Sequence, residues 1–318
     1  MTNEQTIDIS GATAPEDLVF TPATFRDDVT VKLMDSMGDE QSIVRRARVS
    51  VKGSDSLENV PGTPLESKDI GLLKRLYEDE HGVPFEGVEL EFYIEAPLFI
   101  IQQILKHRHS SINQSSGRYS ELTGSFYLPH KDRKLVQVGK TMDYQFELGE
   151  EWQREALIKI TKSENETWWH NYNAKLTMGI AKEVARQTAP HNAYASLYYK
   201  TNLRSLLNFM KLRDRREDDN KISLGKKERK ELAKILVPGI QEDLIDTLGE
   251  EFADKVDLAQ KDIENFLARN LNALLGGPLK KSHAQDEIEL VSKEMEKVVR
   301  RDLPHVWDAF VEAGYYSV

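Results

Sequence analysis

The sequence predicts a fold that mixes short β-strands with amphipathic helices, and three stretches carry that reading. Val88 to Ile94 (VELEFYI) puts Val88, Leu90, Phe92 and Ile94 on one face at a period of two, as a half-buried strand requires. Leu203 to Leu212 puts Leu203, Leu206, Leu207 and Met210 on one stripe at helical spacing, with Arg204 and Asn208 four apart on another face. Between them lies Gln103 to Tyr119 (QILKHRHSSINQSSGRY), a chemical anomaly. From Glu95 to Glu121 there are twenty-five residues without a carboxylate, in a chain with 53 Asp and Glu among 318 residues; chance would place roughly four there.

The other elements follow in chain order. Residues 1–20 are polar and aperiodic and read as a flexible N-terminal arm. Val29 to Met34 alternates as a strand and is broken by the Met37-Gly38-Asp39 turn. Gln41 to Val51 reads as a short helix with three arginines, and Ser54 to Pro64 as a loop. Lys68 to Asp79 is amphipathic through Ile70, Leu73, Leu76 and Tyr77, and is expected to end with Gly82 as a left-handed C-cap. Ala96-Pro97 opens a helix reaching Arg108, with Leu98, Ile101 and Leu105 inward and Gln103, Lys106 and His107 grouped on another face. A polar loop, a strand at Ser125 to Leu128 and a helical run from Glu150 to Met178 follow. The helical pattern resumes from Ile180 to Gln187 until Pro190 stops it, and Ala193 to Thr201 carries aromatic strand formers.

From about 215 to 281 the composition shifts. Lys and Glu dominate Lys226 to Lys234, and Ile263, Phe266, Leu267, Leu271, Leu274 and Leu275 outline an amphipathic helix stopped by Gly276-Gly277-Pro278. This segment reads as a helical insertion in a domain made of residues 21–214 and 282–318. Ala284 to Asp302 and Pro304 to Ala313 are closing helices.

A formal charge of −10 argues against a dedicated DNA or RNA binder, whose footprint is a basic face. A cationic island in an acidic chain points instead to a small anionic ligand. The absence of Cys excludes disulfides, thiolate metal sites and cysteine nucleophiles. The N-terminus lacks the basic and apolar regions of a signal peptide, and no run reaches the ~18 apolar residues of a membrane span. A cytoplasmic protein is the expectation, with neither a membrane nor a nucleic-acid polymer as partner. His107 and His109 stand two apart and no HxxxH or HExxH occurs, so no metal site is expected. Walker A, GxGxxG and GxSxG elements are also missing.

Within the anomalous window, Ser110 to Arg118 has the composition of an anion nest. Successive backbone N–H groups, a hydroxyl and a bidentate guanidinium suit a phosphate monoester, with Lys106, His107 and Arg108 immediately before them. These residues resemble the signature of the flavin-dependent thymidylate synthase family, R-H-R followed by seven residues and Ser. Here Lys106-His107-Arg108 occupies the first part and Ser116 the last. Five further elements, in order, are similar to the family's motifs: Arg46-Ala47-Arg48-Val49-Ser50, His81-Gly82-Val83-Pro84-Phe85-Glu86, Glu183-Val184-Ala185-Arg186, Asn202 to Phe209, and Leu212-Arg213 with Ser282-His283-Ala284-Gln285 split by the insertion.

The resemblance implies an α+β fold, a mixed antiparallel sheet with flanking helices, carrying the inserted helical segment. It also implies a homotetramer with active sites shared between subunits. The implied reaction converts dUMP to dTMP, with methylenetetrahydrofolate as carbon donor and NADPH reducing bound FAD. By position, Gln103, Lys106, Gln114, Ser115, Ser116, Gly117, Arg118 and Arg186 would face dUMP, with Arg213 stabilising the uracil anion. Ser50, His81, Lys106, His107, Arg108, Gln114, Asn202, Arg204, Asn208 and His283 would contact FAD. A flavin route agrees with a chain that has no Cys to add to the pyrimidine. Three positions depart from the family pattern: Lys106 is a point charge where the signature has Arg, Gln114 stands where Glu is common, and Val83 replaces a hydroxyl residue often seen in the His81 to Glu86 turn. They leave open a pyrimidine nucleotide 5-hydroxymethyltransferase, or a catalytically silent nucleotide-binding relative.

Overall fold

The computed structural model describes residues 20–53, 62–140, 143–214, 226–250, 253–274 and 285–313. In chain order the elements are β1 (Thr24–Arg26), β2 (Thr30–Met37), α1 (Glu40–Lys52), α2 (Ser67–Glu78), a 3-10 turn (Val83–Gly87), β3 (Glu89–Pro97), α3 (Leu98–Ile104), β4 (Ser110–Gln114) and β5 (Ser125–Tyr127). They continue with β6 (Val136–Lys140), β7 (Asp143–Glu147), α4 (Glu151–Thr177), α5 (Lys182–Ala185), a 3-10 turn (Arg186–Thr188), β8 (Tyr194–Asn202) and α6 (Leu203–Arg213). The last are α7 (Lys226–Leu248), α8 (Ala253–Leu258), α9 (Gln260–Leu274), α10 (Asp286–Asp302) and α11 (Pro304–Glu312). The fold is α+β. One four-stranded sheet has the order β2-β3-β8-β4, β1 pairs with β5 in parallel, and β6 and β7 form an antiparallel hairpin.

The chain divides into two compact units. The first comprises residues 1–32 and 93–199, the second 33–92 and 200–318. β3 and β8 each pass from one unit into the other.

The first unit is centred on Phe126, Trp169, Tyr172, Ala185 and Ala193. Trp168 and Trp169 both stack on Tyr172, with ring centroids 5.2 and 5.5 Å away. At the end of β1, Arg26 bonds Asp28 and Glu95 (2.8 and 2.6 Å) and lies 4.5 Å from the centre of the Tyr194 ring. The hydrogen bond from Arg26 holds the Asp28 carboxyl below its usual pKa, against an opposing push from burial.

The second unit packs α1, α2, α6, α10 and α11 around Ile43, Leu73, Phe85, Leu206, Met210, Val291 and Phe310, all fully buried. α1 begins at a capping box: Asp39 Oδ1 accepts from the Ser42 N–H at 2.8 Å and Ser42 Oγ accepts from the Asp39 N–H at 3.2 Å. Glu40, nearly buried, accepts from the Val306 N–H at 2.9 Å and lies 2.7 Å from His305 Nδ1, which ties α1 to the start of α11. Helices α7 and α9 belong to this unit and share a small core of Ala233, Val237 and Leu267. No helix among the described residues is long and apolar enough to cross a membrane.

Several local expectations change. Gly82 has φ −72°, an ordinary right-handed value, and the positive φ falls on Glu80. The helix expected to reach Arg108 ends at Ile104, with Ile100, Ile101 and Ile104 buried and Leu105 exposed. Ser110 to Gln114, expected as a loop, is strand β4. Phe266 points to solvent, leaving Leu267 and Ile263 as the packed side of α9. His283, the Gly276-Gly277-Pro278 stop and the 1–19 arm lie outside the described residues.

Candidate functional site

Each unit holds its own group of candidate residues. In the first, α3 is only seven residues long, and the chain entering β8 satisfies its leading N–H groups: Leu98 donates to the Ala193 carbonyl and Phe99 to that of His191, both at 3.0 Å. Beyond Ile104 the backbone closes two tight turns, Lys106 N–H to Gln103 O at 3.2 Å and His107 N–H to Ile104 O at 3.0 Å. The Ser110 hydroxyl then donates to the His107 carbonyl at 2.7 Å. Lys106, His107 and Arg108 therefore stand on the corner between α3 and β4. Lys106 and Arg108 are exposed and His107 half-buried.

Along β4, Ser110, Ile112 and Gln114 are half-buried and alternate with exposed Ser111 and Asn113. The strand's backbone belongs to the sheet, so the expected nest contracts to the four residues after it. Ser115 donates its N–H to the Ser196 carbonyl at 2.8 Å, and its hydroxyl accepts from the Ser196 N–H at 3.2 Å. The Ser116 carbonyl accepts from the N–H groups of Tyr119 and Ser120 (3.1 and 3.0 Å), and Ser116 Oγ accepts from the Arg118 N–H at 3.3 Å.

Arg186, from the 3-10 turn after α5, crosses this loop. A Cβ on Gly117 would meet Arg186 Cδ at 2.9 Å and Leu122 at 3.1 Å, so only glycine lets the guanidinium stem lie against the backbone. Arg118 pairs with Glu183 at 2.7 Å, both partly exposed. Such a pair orients the guanidinium more than it stabilises the fold, by about 1 kcal/mol or less. Gln103 is half-buried. The structure thus brings together Gln114, Ser115, Ser116, Gly117, Arg118 and Arg186 around one turn.

In the second unit the 3-10 turn Val83–Gly87 is anchored by fully buried Phe85. A Cβ on Gly82 would lie 2.5 Å from Arg204 Nε, and one on Gly87 would collide with the Arg46 guanidinium. Both glycines are there for close approach. Arg204 is also fixed by Glu86 at 2.6 Å, beside exposed His81. Asn202 is the N-cap of α6, and its side chain accepts from the Ser205 N–H at 2.9 Å. Asn208 lies exposed one turn after Arg204 on the same helix. Arg213 closes α6, and partial burial lowers its pKa from the ordinary guanidinium value while leaving it cationic at neutral pH. Ser50 is on exposed surface of α1, between Val49 and Val51, which are 54% and 89% exposed.

Sequence reasoning missed Arg46 as a candidate. Its signal was Gly87, the second glycine framing the turn. Glu183 was seen only as part of a motif, and its pairing with Arg118 gives it a positioning role.

The fold is α+β, and the two cationic groups have the chemistry that suits an anionic ligand. Residues 32–239 match the family described as Thymidylate synthase complementing protein. The chain is 38% identical over 195 residues to a flavin-dependent thymidylate synthase from Streptomyces avermitilis, covering 61% of this chain and 78% of the relative. It is 39% identical over 197 residues to the one from Tropheryma whipplei, covering 60% and 79%. Two solved structures of a UMP/dUMP methylase, PolB from Streptomyces cacaoi, superpose with TM-scores of 0.67 (bound with 5-Br UMP) and 0.68 (bound with 5-Br dUMP). At 26% and 27% identity these cover 93% of this chain and 99% and 100% of theirs. The chain belongs to the flavin-dependent thymidylate synthase family and is an enzyme of methyltransferase type.

Proposed function

We propose that this enzyme converts dUMP to dTMP, with methylenetetrahydrofolate as carbon donor, FAD as cofactor and NADPH as reductant. The observation that carries this reading is the turn after β4, where hydroxyls, backbone N–H groups and two arginines gather around Gly117, whose missing side chain lets the Arg186 stem lie against the turn. That is the chemistry of a phosphate monoester site. Gln103, Lys106, Gln114, Ser115, Ser116, Gly117, Arg118 and Arg186 would take the nucleotide. The Arg213 guanidinium would hold the negative charge that develops on the uracil ring, a role for which a partly desolvated cation is well suited.

The residues present fit a flavin with a negatively charged linker. Gly82 and Gly87 make room for Arg204 and Arg46 against the turn backbone, so two cations are presented at fixed positions beside His81. Ser50, His81, Lys106, His107, Arg108, Gln114, Asn202, Arg204, Asn208 and His283 would hold FAD, which supplies reducing equivalents when bound. The exposed valines on either side of Ser50 favour a second copy completing the site, in a homotetramer. Purified protein is expected to be yellow and to be protected thermally by dUMP; a colourless protein that takes up no FAD refutes the assignment.

A second reading has UMP as the substrate. The UMP/dUMP methylase structures span 93% of this chain, including most of the stretch beyond Arg213, whereas the curated thymidylate synthases span about 60%. Offering UMP and dUMP in competition separates the two. On this reading the 215–281 segment is part of the scaffold shared with such methylases rather than a peripheral insertion.

A further inference from the structure

The first unit holds a cavity of about 490 Å3 that includes none of the residues assigned above. One wall is the face of α4 that carries Leu157, Thr161, Glu164 and Trp168, and Tyr127 and Asn192 stand in the other. The four helical positions recur at steps of three and four residues, so their side chains form one stripe, with Glu164 a single turn before Trp168. Leu157 and Glu164 are exposed, Thr161, Trp168 and Asn192 are half-buried, and Tyr127 is buried. The cavity is therefore open to solvent along its Leu157 and Glu164 side. Its volume falls within the range of small-molecule sites.

The aromatic walls are held in place without a ligand. Trp168 Nε1 donates to Thr188 Oγ1 at 3.0 Å, and the indole stacks on Tyr172 with ring centroids 5.2 Å apart. Tyr127 and Asn192 are tied together twice: the Tyr127 N–H donates to the Asn192 carbonyl at 2.8 Å, and Asn192 Nδ2 donates to the Tyr127 carbonyl at 3.0 Å. The second bond turns the amide nitrogen of Asn192 to the backbone and leaves Oδ1 unengaged. Glu164 has no ion-pair or hydrogen-bond partner for its carboxylate among the described residues.

The polar groups left to a ligand are acceptors: the Glu164 carboxylate, Asn192 Oδ1 and the Thr161 hydroxyl oxygen. Among the described residues no Lys, Arg or His joins the lining. The wall is thus the reverse of the loop after β4. A phosphate or carboxylate would meet Glu164 with no cation to offset it, and a neutral ligand would leave that carboxylate without a counter-charge. An organic cation satisfies each group: its N–H donors reach the acceptors, its charge pairs with Glu164 and lies near the indole face, and an apolar body fills the space between the rings.

We propose that this cavity binds a primary arylalkylamine, an ammonium on a short chain that carries a flat apolar ring. The ammonium donates to the Glu164 carboxylate beside Trp168, and the ring lies between Trp168 and Tyr127. The single turn that separates Glu164 from Trp168 lets one ammonium use both. The proposal does not depend on nucleotide methylation.

The test is calorimetric titration of the full-length protein with three ligands that share one body and differ in charge: tryptamine, tryptophol and indole-3-propionate. Saturable binding of tryptamine is expected, with tryptophol weaker by about tenfold and the acid weaker still. Glu164→Gln should weaken tryptamine by about tenfold and leave tryptophol unchanged, because only the charged ligand uses the carboxylate. Leu157→Arg, at an exposed position, should weaken tryptamine by a similar factor and strengthen indole-3-propionate. Failure of tryptamine to saturate overturns the proposal. So does tryptophol or the acid binding as tightly, or full tryptamine affinity in both variants. Protection by dUMP should be the same in Glu164→Gln as in the parent. Loss of FAD uptake or dUMP protection in the parent would refute the functional reading and leave this one standing.

Discussion

Two glycine-bearing turns in this molecule are each crossed by an arginine from a distant element, and they are built differently. The turn Gly82–Gly87 hangs from buried Phe85, is crossed at both ends by Arg204 and Arg46, and is locked by the Arg204–Glu86 pair. The turn Ser115–Ser120 is mostly exposed, closes on its own hydroxyls and carbonyls, and is crossed once by Arg186. The first is anchored to a core through Phe85 and orients Arg204 through Glu86. The second spends its polar groups on the surface, where a ligand reaches them. One substitution should therefore damage stability in one turn and binding in the other.

The largest effect is expected at the end of α6. Arg213→Ala should lower turnover about 10³-fold, roughly 4 kcal/mol of barrier, while the melting curve stays close to that of the parent, because a half-buried terminal residue contributes little packing. Gly87→Ala comes next. The new methyl group occupies the path of the exposed Arg46 guanidinium, and displacing it should cost about 1 kcal/mol or less, read as a lower urea midpoint at unchanged slope. Adding Arg46→Ala should restore most of the loss, and a double variant as unstable as the single would show that the clash is not the cause. Gly117→Ala displaces the exposed Arg186 side chain from buried Gly117. It should raise the KM for dUMP about tenfold with stability within about 0.5 kcal/mol of the parent.

The last effect tests the scaffold. Asp39→Ala removes the α1 cap and should cost about 1 kcal/mol. Burial pushes the Asp39 carboxyl up, but the hydrogen bonds from Ser42 and the Gly62 N–H outweigh it, and the pKa lies below the ordinary value. A depressed carboxylate contributes fully above its unfolded pKa of about 3.9 and loses that contribution as the pH falls through the folded value. The gap between parent and variant in denaturation midpoint should thus close as the pH drops below about 4.

The sequence was most informative where one physical demand dominated. Leu203, Leu206, Leu207 and Met210 repeat at helical spacing because a single face of α6 is buried, and all four are fully enclosed. The alternation of β3 is legible for the same reason. It was least informative where distant groups set the outcome. Nothing local in Ala96 to Arg108 announces that α3 stops at Ile104; the Ser110 hydroxyl on the His107 carbonyl and the start of β4 decide it. Leu105 and Phe266 fit a core stripe by spacing, yet both are exposed in the folded chain. The β6–β7 hairpin escaped notice, although Val136 and Val138 alternate, because an exposed two-stranded ribbon carries few apolar positions. Gly82 had an available explanation in backbone freedom, and the true one, Arg204 from more than a hundred residues away, is visible only in three dimensions.

The candidate site divides along the same line. The carboxylate-free window announced an anion site, and its composition did not depend on the fold. Which of its groups remain for a ligand does depend on the fold, since the sheet engages the Ser110–Gln114 backbone, Ser115 bonds the Ser196 backbone, and Ser116 to Arg118 are left. Lys106 and Gln114, two of the departures from the family pattern, lie at the helix–strand corner and on the half-buried face of β4, beside that turn in sequence.

The central claim is that this chain methylates the uracil ring of dUMP. Its most direct test is an anaerobic incubation of the FAD-loaded protein with dUMP, methylenetetrahydrofolate and NADPH, with the nucleotide product weighed by mass spectrometry. The account predicts dUMP with one ring hydrogen replaced by a methyl group, in amounts that exceed the enzyme. Recovery of unchanged dUMP, or a product carrying a hydroxymethyl group, would contradict it.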